Sequence, residues 1–584
     1  MSAFTEAANP SKATVPHPLE MPLRLTVLFL LLAGAALAVM AAFAPVDLLL
    51  NNEHRMATYV VDILENGGWI CPRDAGGYIV NKPPAYAWLA ALATLIGGGE
   101  VTRFALYFPS IASVYAIAAL IWIAGRRRLG SPAAFLATLA WLLSPAAMGM
   151  MVSARYDGLF ALTVLGGALL AFSAWEKERG WTWFWVVAAA GTLVKGPLCI
   201  VLAGSGLLAA AWERASGMEP RPIRGSHLRG LALFLLIVGT WLTMALWKVG
   251  YELVDTMLKG ELMGHAMGLK ETGESSAWHR PLGSWFGHLA LWSLPATVAM
   301  LRSFFRPAPN AVERRFERFL TCVIFAGLII FMLTPHKPSR LVIPLVPFGA
   351  LLAGAEMARW TARWKPRVAH LATGAAAVLV IAGMTLNMLI EEPRRKQVRA
   401  TEGMAELALW WQSIAGDFFP LTHVDTPIPF QMAMDEIRPL TTPTRAVELL
   451  QGSTAAFVAV HDLAAMEAAG LDTNAVFRLA AWPETGDPQV IILGNRKRPV
   501  WDEPIACYVD ELELKLVGLR LIEGSSTEIS VAPVARQCAI DIINRSGKVQ
   551  EVELETVTDR RRSSFRTLQP GKAWHADVSA RPRR

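Results

Sequence analysis

The sequence has few charged residues for its length. Only 18% of its 584 residues are Asp, Glu, Lys or Arg, whereas 53% are apolar and the mean hydropathy is +0.37. A soluble enzyme of this size carries more charge, so the composition excludes a conventional soluble protein and indicates a chain that crosses a membrane repeatedly. The 21 Trp residues agree, because indole rings favour membrane–water interfaces.

The sequence also lacks a continuous basic surface. Its net charge is +7, but Lys and Arg lie in short loops between apolar runs. This pattern is typical of charges that orient membrane helices, and it excludes a nucleic-acid face. Membrane lipids are therefore the expected surroundings.

Signatures of nucleotide and metal sites are missing as well. There is no GxxxxGK[ST] and no GxGxxG after a strand, so a nucleotide-linked donor is not supported. The five Cys residues show no zinc spacing, and the loop residues Glu261, His265 and His279, together with His288, show no ligand spacing either. We expect no cofactor; a metal ion is conceivable but unsupported.

Apolar runs of spanning length recur up to about residue 390. They lie near 23–44, 104–125, 131–151, 158–175, 181–194, 196–212, 230–248, 285–301, 318–334, 341–357 and 368–390. The polar segment 1–22 precedes a run long enough to span, so we expect a cytoplasmic tail and a retained helix, not a cleaved signal peptide. The fold class predicted is a polytopic α-helical membrane protein with about 11–13 transmembrane helices, in a domain over 23–391.

Basic loops such as "GRRRLG" and "EKERG" predict which side faces the cytoplasm. The apolar segment 83–97 cannot cross without placing "GRRRLG" outside. We therefore predict an interfacial helix on the outer face, within a large first outer loop 45–103, with Tyr86 and Trp88 near the headgroups. The alternative is an ordinary span with one basic loop on the opposite side.

No spanning run follows Glu391. Segments such as "AAFVAVH" and "QVIILGN" are rich in β-branched residues and are separated by Gly and Pro. We predict that 392–584 forms one soluble α/β or α+β domain on the outer side. Cys507 and Cys538 both fall in it and could form a disulfide or remain as two free thiols.

Acidic residues lie at the outer ends of predicted spans. Glu53 follows the first span and Asp157 lies in "SARYDGLF", at the same membrane level. Two carboxylates in one outer cavity could hold and deprotonate an acceptor hydroxyl. For Asp157, "YDGLFAL" is equally compatible with a helix N-cap.

Cationic residues lie on the same predicted side, several of them in Pro-containing turns. A lipid-linked phosphate at headgroup level would need such a cluster, although interfacial snorkelling explains any single cation. They are Arg55, Lys82, Lys195, His279, Arg280, Lys337 and Arg340.

The motifs "NEHR…GGWICP…NKPPAYAWL", "ARYDGLF", "GTLVKGPL", "WHRPLGSWF" and "HKPSRLVIPLVP" follow one another over roughly 20–350. In this order they resemble the polyprenyl-phosphate-dependent glycosyltransferases, namely the lipid A aminoarabinose transferases and the wider protein-mannosyltransferase-like group. The resemblance implies the C-type glycosyltransferase fold. It also implies a sugar donor on a polyprenyl phosphate and a lipid or glycan acceptor at the outer leaflet of a bacterial inner membrane, with the site and the C-terminal domain on the periplasmic side.

The resemblance also implies roles for individual residues. Lys82 and Arg55 would hold the donor phosphate, Asp157 would be the loop acid, and Lys337 and Arg340 would line the donor side. Two positions depart from the family pattern. Asn52 stands where the family has its first acid, and an amide cannot act as a base. Asn81 replaces an acid that the aminoarabinose branch has before the Lys.

The predicted reaction is a single inverting displacement at the anomeric carbon, with Asp157, or else Glu53, as base and Asn52 in the same site. An acceptor phosphate would need no base, which is our hypothesis for the tolerance of Asn52. The alternatives are a protein O-glycosyltransferase, a non-catalytic envelope-assembly subunit and a transporter of lipid-linked sugars, although the polar spans and inverted repeats of a transporter are not evident.

Overall fold

The computed structural model describes most of the chain. The ranges are 17–43, 51–74, 78–219, 221–263, 277–306, 308–335, 337–390, 392–434, 438, 440–499, 501, 503–524, 527–535, 537–557 and 561–578. Two compact units are formed. The membrane unit comprises Met1–Ala44, Trp69–Cys71 and Val80–Ile390, and the C-terminal unit comprises Pro45–Gly68, Pro72–Ile79 and Glu391–Arg584.

The chain up to residue 390 is helical. The helices are α1 Leu23–Phe43, α2 Asn51–Glu65, α3 Ala85–Ile96, α4 Arg103–Arg128, α5 Ser131–Leu142, α6 Pro145–Met151, α7 Tyr156–Lys177, α8 Trp181–Lys195, α9 Leu198–Ser205, α10 Leu208–Ala215, α11 His227–Val249, α12 Tyr251–Leu253, α13 Arg280–Leu289, α14 Ser293–Phe305, α15 Ala311–Leu333, α16 Val346–Thr361 and α17 Pro366–Ile390. A π-helical turn, Val254–Met263, follows α12, and 3₁₀ turns occupy Ala290–Trp292 and Ser339–Leu345.

Helices of spanning length confirm an integral membrane protein. Within the described ranges 8 are long and apolar enough to cross, or 9 if the bent pair α5–α6 is one span. They are Leu23–Phe43, Arg103–Arg128, Tyr156–Lys177, Leu198–Ala215, His227–Val249, Ala311–Leu333, Ser339–Thr361 and Pro366–Asn387.

Within the described ranges, fewer helices of spanning length are present than the apolar runs predicted. The run near 181–194 forms α8, which has only 15 residues. The run near 285–301 is divided between α13 and α14, because Ala290 has a positive φ of 47° and begins a 3₁₀ turn. Segment 83–97, which was predicted not to cross, forms α3, and its 12 residues are too short to span the hydrocarbon core.

Local sequence explains where several of these helices begin. The Thr102 side chain accepts a hydrogen bond from the Ala105 amide (3.2 Å), and the Ser144 side chain accepts one from the Ala147 amide (3.1 Å). These bonds satisfy amides that the helices themselves leave without a partner. At the other end of α4, "RRR" lies in the last turn, where positive charge complements the helix dipole.

Close packing in the membrane unit depends on small residues. Helices α5 and α16 pack along each other, and a Cβ built on Gly354 of α16 would lie 2.4 Å from the Ala133 carbonyl oxygen and 2.5 Å from the Ala137 Cβ of α5. Small residues at such crossings allow helix backbones to approach closely.

Buried charges connect the ends of α14, α15 and α16. The Glu356 carboxylate, which is 0% exposed, accepts hydrogen bonds from Arg302 Nη1 (2.8 Å) and Arg359 Nη1 (3.0 Å). Arg359 also pairs with Glu313 (2.6 Å) and with Glu317. Because each buried carboxylate has a cationic partner, the network satisfies the requirement that buried charges be paired.

The C-terminal unit contains helices and strands in the α/β arrangement that the sequence predicted. Its helices after residue 390 are α18 Glu392–Ala415, α19 Ile428–Ala433, α20 Pro443–Gln451 and α21 Leu463–Ala468. Its strands are β1 Thr422–Val424, β2 Ala455–Val460, β3 Phe477–Trp482, β4 Val490–Gly494, β5 Ile505–Val509, β6 Leu512–Val517, β7 Leu519–Gly524, β8 Glu528–Pro533, β9 Ala539–Asn544, β10 Gln550–Val557, β11 Arg561–Leu568 and β12 Ala573–Asp577.

The strands form two sheets. An 8-stranded sheet has the order β12-β9-β6-β5-β2-β4-β3, with β1 parallel to β2, and a 4-stranded sheet has the order β11-β10-β8-β7. Leu514 and Ile542 of the larger sheet share a core with Val531 and Leu554 of the smaller one. The sheets therefore stabilise each other by burying apolar faces.

Strand β2, with the sequence "AAFVAV", is buried along its whole length. Phe457 and Ala459 pack with Trp411 of α18, whereas Val458 and Val460 belong to a separate core. Successive side chains of β2 therefore pack in different cores. Because both faces of the strand are buried, its sequence is continuously apolar and does not alternate between apolar and polar residues.

The first loop is divided between the two units. Helix α2 belongs to the C-terminal unit, where it packs against α19, whereas α3 belongs to the membrane unit. The sequence had assigned all of 45–103 to the membrane domain. Cys507 and Cys538 are both buried free thiols, so the predicted alternative of a disulfide is not formed.

We expect the substitution Gly354→Ala to lower the apparent melting temperature of the purified protein. Its methyl group would force α5 and α16 apart, and overpacking of this kind costs about 1–3 kcal/mol. The matched control is Gly374→Ala in α17, where a built Cβ meets nothing within 4 Å. Equal melting temperatures for the two variants would contradict this packing.

Candidate active site

Asp157 lies at the start of α7. Arg155, two residues before it, is extended (φ −137°, ψ 152°) and occupies the N-cap position, so the helix begins at Tyr156. The N-cap interpretation of Asp157 is therefore wrong. Its carboxylate, 6% exposed, lies in the first turn, where the helix dipole stabilises negative charge.

Lys195 is the direct partner of Asp157. It is the last residue of α8, which ends because Gly196 adopts a positive φ of 89°. The Lys195 ammonium donates a short hydrogen bond to Asp157 Oδ1 and lies 5.6 Å from the centre of the Phe160 ring. The ion pair thus joins the beginning of α7 to the end of α8.

Further cationic side chains act on the same carboxylate. Arg340, in the 3₁₀ turn that precedes α16, and Arg155 both interact electrostatically with Asp157. His288 of α13 shares a hydrogen bond with the Ser339 carbonyl (2.9 Å) and also interacts electrostatically with Asp157. His288 therefore connects α13 to the residue that precedes Arg340.

Lys82 approaches this cluster through aromatic rings. Its ammonium lies 5.8 Å from the centre of the Tyr156 ring, and Tyr156 packs against Tyr86 with ring centres 5.6 Å apart. The Tyr86 hydroxyl donates to the Leu106 carbonyl (3.0 Å) and shares a hydrogen bond with Ser110 Oγ (2.9 Å). These contacts fix the start of α3 against α4 and α7.

The headgroup prediction for Tyr86 is wrong. The side chain is 0% exposed, because it fills the space between helices. Trp88 is half-buried, and its indole nitrogen donates to the Trp69 carbonyl (2.5 Å).

The remaining cationic candidates of the membrane unit lie in two loops. Lys337 is 7% exposed and donates to the Pro335 carbonyl (3.4 Å), three residues before Arg340. Exposed His279 contacts Trp278, and Arg280 is the first residue of α13. The interactions that the structure describes for Asp157 include none of these residues.

The candidates in α2 belong to the C-terminal unit. Arg55 pairs with Asp74 of the same unit (3.1 Å), and the Asp74 side chain is buried. The backbone of Asn52 and Glu53 lies in α2, but their side chains are outside the described part of the structure.

In the described ranges, no group of three or more His, Cys, Asp or Glu side chains could hold a metal ion. His265 and the Glu261 side chain are not described, so the expectation of no metal stays a prediction.

The structure brings together Asp157, Lys195, Arg340 and, through Tyr156, Lys82. Sequence reasoning did not select Arg155 or Tyr156, although both lie inside the quoted motif "SARYDGL". It weighed His288 only as a metal ligand. The spacing of residues in the sequence does not indicate a role for Arg155, Tyr156 or His288, because that role depends on contacts between helices.

Comparison with known proteins shows which families the chain resembles in sequence and which solved structures it resembles in fold. The sequence profile of the dolichyl-phosphate-mannose-protein mannosyltransferase family matches residues 81–244, and that of the Alg9-like mannosyltransferase family matches residues 284–409. Lys82, Asp157 and Lys195 fall in the first range, and Arg340 falls in the second.

Two curated proteins match parts of the chain at low sequence identity. The undecaprenyl phosphate-alpha-4-amino-4-deoxy-L-arabinose arabinosyl transferase 2 of Pseudomonas fluorescens is 24% identical over 366 residues, or 61% of this chain and 60% of that protein. An uncharacterized protein of Aquifex aeolicus is 26% identical over 204 residues, covering 34% of this chain and 44% of that protein. The chain thus spans about half the length of these relatives.

Solved structures share the fold over most of the chain. ArnT from Cupriavidus metallidurans bound to undecaprenyl phosphate has a TM-score of 0.62 at 15% identity, covering 82% of this chain and 99% of that one. Its apo state has a TM-score of 0.61 at 15% identity, covering 81% and 98%. By these matches the chain is similar to polyprenyl-phosphate-dependent glycosyltransferases of the ArnT and protein mannosyltransferase type. This similarity confirms the resemblance found in the sequence motifs.

We expect Asp157 and Lys195 to depend on each other for stability. Lys195→Met leaves the buried Asp157 carboxylate without its cationic partner, which costs about 3 kcal/mol of stability. Asp157→Asn also destabilises the protein, because it leaves the Lys195 ammonium without an anionic partner. The double variant should lose less than the sum of the single variants, because neither charge is then left alone.

The measurement is the apparent melting temperature of the four proteins in one detergent. Losses that simply add would contradict a direct interaction between the two side chains.

Proposed function

We propose that the protein transfers a sugar from a polyprenyl phosphate to an acceptor at the outer leaflet of a bacterial inner membrane. The cluster around Asp157 carries this proposal, because it places several cations at one end of α7 in a fold shared with an undecaprenyl-phosphate-bound protein. The acceptor proposed is a lipid A-like lipid or an envelope glycan.

The charge of the cluster suits a phosphate. Lys195 and Arg340 together carry two positive charges, against the single negative charge of Asp157. Ammonium and guanidinium groups form strong charge-assisted hydrogen bonds to phosphate oxygens. Lys82 is the further cation proposed to contact the donor, since the Tyr156 ring holds it near the same end of α7.

These contacts would act on the leaving group. In an inverting displacement the bond between the anomeric carbon and the phosphate oxygen breaks while the acceptor oxygen attacks from the opposite face. Negative charge then grows on the departing polyprenyl phosphate, so fixed cations stabilise the transition state more than the ground state. No general acid is needed for this leaving group.

We assign Asp157 a positioning role toward Lys195. Its Oδ1 accepts a hydrogen bond from the Lys195 ammonium. This oxygen would therefore orient the cation that contacts the donor phosphate. An acceptor phosphate is already ionised and gives up no proton, which is compatible with an amide at Asn52. A hydroxyl acceptor would instead pass its proton to a carboxylate, and the candidates are then Asp157 and Glu53.

The orientation of the membrane unit is part of the proposal. Basic loops such as Arg126–Arg128, at the end of α4, predict a cytoplasmic position. The start of α7 then lies on the opposite, periplasmic side, where a lipid-linked donor and an envelope acceptor would meet. The proposed position of the C-terminal unit is also periplasmic.

A second candidate function is protein O-glycosylation. It is favoured by the match of residues 81–244 to a protein mannosyltransferase family. Membranes supplied with a radiolabelled polyprenyl-phosphate sugar separate the candidates, because label enters either extractable lipid or protein. Mass spectrometry of lipid A and envelope glycans, with and without the gene, would identify the acceptor.

We expect Lys82→Ala to reduce sugar transfer at least tenfold, since a hydrogen bond to a charged group contributes about 1.5–3 kcal/mol. The assay is transfer from the radiolabelled donor in proteoliposomes with equal amounts of folded protein. Lys177→Ala is the control, because Lys177 is exposed in the last turn of α7, at the opposite end from Asp157. Full transfer by Lys82→Ala would remove Lys82 from the site.

Asp157→Asn and Lys195→Met should raise the KM for the donor and lower kcat. The double variant should be about as impaired as the worse single variant, since both changes disturb one cation. With a phosphate acceptor, the dependence of the remaining rate on pH should match that of the wild type. Loss of an ionisation from the pH profile of Asp157→Asn would instead identify Asp157 as the base.

A further inference from the structure

The C-terminal unit contains a groove that the proposed active site does not use. Its volume is about 650 Å³, within the range of roughly 300–1,000 Å³ typical of ligand sites. Helix α18, strand β3 and the connection between β4 and β5 line it. The lining residues are Trp410, Ile414, Leu479, Lys497, Arg498 and Trp501, with Pro499 beside them.

Two indole rings give the groove flat apolar surfaces. Trp410 is 39% exposed on α18, next to the fully buried Trp411. Trp501 is held in place, because its indole nitrogen donates to the Ala415 carbonyl (2.9 Å) and its ring packs edge-on against Phe419 at 4.9 Å. A fixed indole offers contact area without a large loss of side-chain entropy on binding.

Among the described residues, two cations in the groove have no acidic partner. In the described part of the chain, Arg498 makes no hydrogen bond or ion pair, and Lys497 has only a contact of 5.6 Å with the Phe477 ring. The preceding residue Arg496, by contrast, pairs with Glu503 (3.2 Å). The groove therefore combines apolar faces with unneutralised positive charge.

The connection that carries these cations is fixed at both ends. Asn495 donates to the carbonyls of Gly452 (3.1 Å) and Thr454 (2.7 Å), and Arg496 donates to the Ser453 carbonyl (2.8 Å). Trp501 fixes the other end through Ala415. A ligand would thus meet a largely preformed surface, which lowers the cost of binding.

We propose that this groove binds an anionic saccharide, whose apolar ring faces stack on Trp410 and Trp501 and whose phosphate or carboxylate contacts Lys497 and Arg498. Sugar rings have flat C–H faces that suit indole, and their acidic substituents suit ammonium and guanidinium groups. That this saccharide is part of the acceptor rests on the proposed function. The binding itself does not.

The experiment measures saccharide binding to the full chain in nanodiscs of neutral lipid. The probes are a deacylated, phosphorylated lipooligosaccharide and the same molecule after removal of its phosphates. The wild type should bind the phosphorylated form more tightly. K497Q/R498Q should bind it about tenfold more weakly, since two charge-assisted contacts are lost. Its affinity for the dephosphorylated form, which keeps only carboxylates, should fall by a smaller factor.

Trp410→Ala should weaken binding of both forms by the same factor, because stacking does not depend on phosphate. The matched control is K548Q/K572Q, which removes two exposed cations from the same unit outside the groove. Binding by K497Q/R498Q equal to the wild type overturns the proposal. So does an equal loss in K548Q/K572Q, or no binding by the wild type.

Two further arms test whether the groove acts independently of the transfer site and whether it holds lipid instead of saccharide. Lys195→Met should bind both saccharides normally although its transfer is impaired. Wild-type protein that binds the saccharide but transfers no sugar would count against the proposed function and not against the groove. A fluorophore on Ile414→Cys reports a lipid occupant. Quenching by a lipid-phase nitroxide but not by soluble iodide would place the groove against the bilayer and overturn the proposal.

Discussion

The ion pair of Asp157 and Lys195 reflects the constraint that governs this membrane unit. A charge among packed apolar helices costs several kcal/mol unless an opposite charge lies beside it. The pair meets this requirement between the start of α7 and the end of α8. Arg340 and Arg155 act on the same carboxylate, so the anion organises cations that would otherwise repel one another. The proposed donor site is a consequence of this compensation.

Much of the fold could be predicted from apolar runs and basic loops. The runs ending near 390 correspond to the membrane unit, and short β-branched segments such as "AAFVAV" correspond to strands. The number of full-length spans could not be predicted. Whether a run near 285–301 continues as one helix depends on a backbone turn at Ala290, which hydropathy does not record.

The residues of the candidate site could be predicted from the sequence, but the contacts between them could not. Family motifs and residue types selected Asp157, Lys82, Lys195 and Arg340 as separate candidates. The contact between Asp157 and Lys195 joins positions 38 residues apart, and it arises from the packing of α7 on α8. Interactions that exist only after helices have packed leave no periodic signal in the sequence. For the same reason, the burial of Tyr86 could not be inferred from its place near an apolar run.

The charge network around Glu356 has a consequence for motion. Helix α16 follows directly after the turn that carries Arg340, and its other end is bonded to α14 and α15 through Arg302, Arg359, Glu313 and Glu317. A helix anchored in this way cannot slide along its axis without separating buried charges. The turn that bears Arg340 is thus kept in register with α14 and α15, and the three helices would have to move as one body.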